Sequence, residues 1–191
     1  MAKRMIENPG NPHFYPWPLI LVSCVDEAGK PNIITIGAAS VCCARPWIIG
    51  FALGVRQYSY ELIKRTGDFG VNLPDVEQLA GADYCGGISG RSTNKFEDLG
   101  WTPQPSREIV SPLIEECPVS IECRIVEVAH LGNHDWVMGE ALVAWIDEEI
   151  LEGNRIAYER TNPVWSFFGE YWSLGEALES LPALSDAGVQ Y

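Results

Sequence analysis

Two stretches, PVSIECRIVEVAH and DWVMGEALVAWID, alternate apolar and polar residues with a period of two. In the first, Ile121, Cys123, Ile125 and Val128 stand against Glu122, Arg124 and Glu127. An extended backbone sends successive side chains to opposite faces, so the pattern predicts two long, half-buried β-strands. Only LGNH separates them, which makes them neighbours across a tight reversal. A chain organised around such a pair is committed to a sheet with one face on a core.

The remaining segments agree. Leu19 to Val25 is β-branched and apolar, DEAGKPN supplies turn chemistry, and Asn32 to Cys42 resumes the strand pattern, which reads as a hairpin. PWIIGFALG follows as a third strand. YSYELIKRTG reads as a helix stopped at Gly67, FGVNLP as a short strand, and PDVEQLAGA as a short helix. Residues 81–95 read as a long Gly/Ser loop, of a kind that compact domains seldom carry without a binding role. VWSFFG is a late strand, and Ser173 with Glu176 forms a capping-box pattern before a last short helix. The expected fold is mainly β with short helices, a barrel in a single domain over residues 1–191, with its core at about 15–175 and a tail at 176–191. Strands do not alternate with long helices and no G-x-G-x-x-G follows a strand, which argues against a doubly wound dinucleotide fold.

Charge and cysteines narrow the chemistry. The net charge of −13 opposes nucleic acid, although a few local cations still suffice for a small phosphorylated cofactor. No apolar run approaches the roughly 20 residues of a membrane helix, and Met1 to Gly10 has no hydrophobic leader core, so a cytoplasmic location is expected. The six cysteines include no C-x-x-C pair, so neither a zinc knuckle nor a thioredoxin-type dithiol is indicated. Cys24, Cys42, Cys117 and Cys123 read as small core residues. In an extended chain Cys42 and Cys43 point to opposite faces, one of them away from the core. His130 and His134 have a metal-like spacing only on a helix, which Gly132-Asn133 would break, so no metal is expected. Within SGRSTNKF, Arg91 and Lys95 gather beside hydroxyls in an otherwise acidic chain, a grouping suited to an anion.

Four motifs in order, DEAGKPNIITIGAASVCCARPWIIGFAL, RQYSYELIKRTGDFGVNLP, GGISGRSTNKFEDLG and HDWVMGEAL, resemble the flavin reductase-like, FMN-binding split-barrel family, particularly its flavoredoxin branch. The likeness covers roughly residues 15–175. It implies a six-stranded Greek-key split β-barrel, a homodimer, and non-covalent FMN near the subunit interface. It also implies electron transfer, either from NAD(P)H to flavin or on behalf of a redox partner protein.

Candidate residues follow from both lines. Asn32, Thr35, Ser40 and the backbone of Val41, Cys42 and Cys43 can present donors at one barrel mouth, unless Thr35 is simply a strand former. The resemblance places the backbone of Ser40 to Cys42 against the flavin ring. Arg56, Ser59 and Tyr60 begin a predicted helix and suit a phosphate, unless Ser59 is an ordinary N-cap and Arg56 is solvated. Asn72 either bonds the flavin pyrimidine or closes the turn before Pro74. Ser89, Gly90, Lys95 and Phe96 match the family's SG…(D/N)KF signature, whose lysine tends to lie near the phosphate; Asn94 stands where aspartate is frequent. The same loop with Phe96 as a core anchor is the alternative. The resemblance puts His134 near the nicotinamide, against the alternative of a plain surface histidine. Tyr171 and Trp172 either flank the ring or pack in a core or dimer interface. The expected activity is NAD(P)H:flavin oxidoreduction, with an FMN-containing electron carrier as the alternative; a flavin-free barrel using Cys42-Cys43 for redox sensing is a third reading.

Overall fold

The computed structural model describes residues 4–7, 16–167, 169–176 and 178. Strands β1 (Ile20–Val25) and β2 (Pro31–Ile36) form the expected hairpin. Asp26 closes its turn: Oδ1 accepts from the backbone N–H groups of Ala28 and Lys30 at 2.8 and 2.9 Å, and Gly29 takes φ 80°. The extended run then breaks at Gly37-Ala38, and β3 (Ala39–Ala44) leaves as a separate strand. The sequence reading of one strand from Asn32 to Cys42 is corrected here, because the chain turns from one edge of the sheet to the other.

β4 (Trp47–Gly54) leads into helix α1 (Tyr58–Thr66), ended by Gly67 in the left-handed conformation at φ 74°. Next come β5 (Asp68–Leu73), α2 (Leu79–Gly87) and α3 (Lys95–Leu99). The expected loop over 81–95 is therefore helical as far as Gly87, and only 88–94 connects α2 to α3. The two long strands are β6 (Val119–His130) and β7 (His134–Ile146). β8 (Val164–Phe167) and β9 (Glu170–Ser173) join the short strand Trp17–Pro18 in a small second sheet. Leu174 to Glu176 have no regular structure, and most of the helix expected after Ser173 lies outside the described residues.

The main sheet is antiparallel and runs β2-β1-β5-β6-β7-β4-β3, seven strands where the resemblance implies six. Its edges are consecutive in sequence, so the sheet curls to bring them to the same side of the molecule. The backbone N–H of Ala52 in β4 donates to Ala38 O at 2.9 Å, which extends the β3–β4 ladder by one pair. Side chains pointing inward make one core: Val22, Ile34, Phe51, Leu53, Phe69 and Val137, plugged by Leu62 and Ile63 of α1. Phe51 and Phe69 meet edge to face at 5.0 Å. Leu19, Leu21 and Ile33 face outward and are covered by Ala82, Cys85 and Phe96 of α2 and α3. β1 is thus buried on both faces, which explains its continuous apolar run.

Cys24, Cys117 and Cys123 are buried, as expected, but Cys42 is exposed. A β-bulge is responsible: Val41 opposes Ile49 and Cys43 opposes Ile48, which leaves Cys42 as the extra residue. Its Sγ turns outward and accepts from Trp136 Nε1 at 3.4 Å.

Candidate functional site

Where β2 and β4 end and α1 begins, the split in the barrel leaves a cleft of about 380 Å³. Its walls are the backbone of Ile34 to Ala38 on one side and Ala52 to Gly54 with Gln57 on the other, with Tyr171 at the rim. Gly54 keeps this wall low: a Cβ there would press on Gln57 Cγ at 3.2 Å and touch His134 Nε2 at 3.6 Å. Past Gly54, Gln57 and His134 the cleft continues into an open chamber of about 720 Å³ with Arg56, Gly132 and Asn133. In the other direction Ile34 and Gln57 also wall a small recess of about 20 Å³ with Asn32, Ser59, Ser89, Gly90 and Lys95.

The recess carries the unusual electrostatics. Lys95 is the first residue of α3 and is only 3% exposed. Its ammonium donates to Ile33 O and Cys85 O, both at 2.7 Å, and no carboxylate among the described residues lies within ion-pair distance. Burial pulls its pKa below the ordinary lysine value. A buried ammonium held only by carbonyls keeps a third N–H and an uncompensated charge. Beside it, Asn32 Nδ2 donates to Ser59 Oγ at 2.8 Å, while the buried Asn32 Oδ1 has no partner. Turning that amide over would let Ser59 donate to it and present its NH₂ to the recess. Ser59 also lies in the first turn of α1, where backbone dipoles favour negative charge. The arrangement suits an anion with several acceptor oxygens.

The structure separates residues that the sequence groups together. Ser59 lines the recess, and the N-cap of α1 is Gln57. Arg56 is exposed in the outer chamber, and Tyr60 turns inward, its hydroxyl donating to Asp135 Oδ2 at 2.5 Å. Asp135 also engages His130 Nδ1 at 2.8 Å. Arg91 does not join Lys95; it pairs with Glu61 and lies 4.7 Å over the ring of Tyr58.

Other candidates fall away from the cleft. Asn72 is fully buried: its Nδ2 donates to Leu21 O and Ser23 Oγ, and its Oδ1 accepts from Ile114 N and Ser120 Oγ. It neither reaches the cleft nor closes the turn. Phe96 is a core anchor at 2% exposure. Ser40, Val41 and Cys42 lie on the exposed edge strand, and the small residues that reach the cleft are Gly37 and Ala38. Trp172 is exposed.

Thr35 and Tyr171 do line the cleft. The Thr35 hydroxyl donates to Ala82 O and ties that wall to α2. Tyr171 donates to Asp83 Oδ1 at 2.5 Å, a bond that with burial pushes the phenol up to about 12. His134 stands where cleft and outer chamber meet, its Nδ1 3.1 Å from Asn133 Oδ1. Gln57 was not singled out in the sequence, although the Gly-x-x-Gln at a strand-to-helix junction was its signal.

Comparisons with known proteins agree with this architecture. Residues 13–175 match the family model described as flavin reductase like domain. The flavoredoxin of Desulfovibrio vulgaris (Miyazaki F) superposes with a TM-score of 0.86 at 29% identity, over 94% of this chain and 97% of that one. Flavoredoxin from Methanosarcina acetivorans gives a TM-score of 0.85 at 26% identity, over 93% and 95%. A flavin reductase of Pseudomonas putida is 25% identical over 135 residues, 71% of this chain and 76% of that protein. With its curled antiparallel sheet and a match over most of its length, the chain belongs to the flavin reductase-like family of split-barrel flavoproteins.

Proposed function

We propose that the chain binds FMN non-covalently and passes electrons from NAD(P)H to flavin in the cytoplasm, as a homodimer. The observation that carries this reading is Lys95, buried without a carboxylate in a recess that adjoins a cleft walled by small residues. Lys95, Ser59 and Asn32 would hold the phosphate. Gly37, Ala38 and Gly54 let a flat ring come close to backbone, and Tyr171 closes the rim. When bound, the flavin supplies the hydride acceptor and the electron store. His134 is set to offer one hydrogen bond to a carboxamide arriving through the outer chamber. That the likeness includes two flavoredoxins and a flavin reductase supports the flavin part of the reading.

The same cofactor would serve a carrier reduced by a partner protein. One experiment separates the two readings. The purified protein is expected to show a flavin spectrum, to release FMN on denaturation, and to be bleached anaerobically by NADH or NADPH alone. Bound FMN without bleaching would make it a carrier. A colourless protein with no affinity for added FMN would end both readings.

A further inference from the structure

We infer that Arg91 is a positioning residue, a latch that fastens the strap 88–94 over the anion recess and sets how fast the cofactor leaves. The inference rests on the proposed FMN site and concerns a cation that the site itself does not use.

Strap and recess are joined at Gly90. It is buried, it lines the recess, and a Cβ there would overlap the Asn32 amide, so the strap lies directly on the wall that carries the orphaned Oδ1. The strap is held at its C-terminal side by Lys30 Nζ donating to Thr93 O at 3.2 Å, and by the Thr93 hydroxyl bonded to Asp98. Its middle is drawn to α1 by Arg91. The guanidinium pairs with Glu61 and stacks 4.7 Å from the centroid of Tyr58, another residue of the recess wall. Both ends of the ion pair are about half exposed, at 52% and 54%. A contact of this kind is weak, screened by salt and easily opened. Those properties suit a fastening that must let a ligand in. Opening it requires no change in Lys95, whose bonds run to the carbonyls of Ile33 in β2 and Cys85 in α2, neither of them in the strap.

The test uses Arg91→Gln, Glu61→Gln and the double variant. Release of FMN from the loaded protein is followed by its fluorescence, and hydrogen exchange of residues 88–94 is followed in flavin-free protein. Arg91→Gln should release FMN about fivefold faster, the summed worth of an exposed ion pair and a cation–π contact, and Glu61→Gln about twofold faster, since it breaks the ion pair alone. The double variant should be no faster than Arg91→Gln, because both changes break one contact. Salt should speed release of riboflavin, which has no phosphate, from the wild type and leave its release from the double variant unmoved, and riboflavin should escape faster from the variants in step with FMN. Exchange of 88–94 should rise in all three variants. Unchanged release and unchanged exchange would overturn the latch. So would a loss confined to FMN, with riboflavin spared and Glu61→Gln neutral, since Arg91 would then be holding the phosphate. Failure of the wild type to bind FMN would remove the cofactor reading and the release role together; the exchange arm separates that failure from a failure of the latch.

Discussion

Gly90 and Asn32 are in such close contact that a side chain on the glycine would occupy the space of the Asn32 amide. One residue belongs to the strap before α3 and the other to β2, 58 positions earlier in the chain. Their contact brings the SGRSTNKF motif onto the sheet and seats Lys95 behind it.

Gly90→Ala is accordingly expected to destabilise the fold by about 1–3 kcal/mol through overpacking. Its backbone does not need a left-handed φ, so the effect is steric. Denaturant unfolding checks the loss, and FMN titration should show weakened capture. A variant as stable as wild type with unchanged FMN affinity would show that the strap gives way freely.

Lys95→Ala is expected to weaken FMN more than riboflavin, by about 1.5–3 kcal/mol for a charged hydrogen bond. The difference carries a pH signature. Lys95 has a depressed pKa, so its charge is complete below that value and is lost as pH rises through it. The preference of the wild type for FMN over riboflavin should therefore fall in the alkaline range, at a lower pH than for an exposed lysine. Equal losses for both ligands would remove Lys95 from the phosphate.

His134→Ala should leave FMN affinity nearly unchanged and slow anaerobic flavin reduction by NAD(P)H. Stopped-flow absorbance separates the two effects. Loss of FMN itself would make His134 part of the cofactor site.

Glu122 predicts an acid transition. It is fully buried, accepting from Arg107 N and Trp145 Nε1 at 2.8 Å and from Glu108 N at 2.6 Å, and so pins the segment before β6. Burial by itself raises its pKa, and the hydrogen bonds together outweigh it, so the net shift is downward. A lowered carboxylate contributes stability above its unfolded value of about 4.3, and that contribution is lost as pH falls through the folded value. Glu122→Gln should cost about 1.5–3 kcal/mol at neutral pH and flatten this part of the acid profile. Urea midpoints measured across the acid range decide the matter.

The homodimer is expected to form on the β3 edge. Val41 at 56% and Trp47 at 52% exposure flank an apolar groove with Ile49, Ala141 and Val143. An apolar edge of this kind invites pairing with a second copy. Val41→Asp should shift sedimentation from dimer to monomer. A wild-type monomer at micromolar concentration would refute the assignment.

The sequence by itself determined the elements whose signals are local. Period-two alternation marked β6 and β7, Asp26 with Gly29 marked the hairpin turn, and Gly67 marked the end of α1, because each is decided by neighbours a few residues away. It also singled out Lys95 by residue type. Only the tertiary structure decided which chemistry shares a space. Arg91 and Lys95 are four residues apart, yet one faces α1 in solvent and the other lies buried against β2. Asn72 and Phe96 have the residue types of a binding site and sit in cores, because β5 and α3 turn those positions inward. Gln57, Gly37 and Ala38 became cleft walls only when the curling of the sheet brought β2 and β4 near each other. Residue type fixes what a group can do; pairing between segments far apart in the chain fixes which face it occupies and what it meets there.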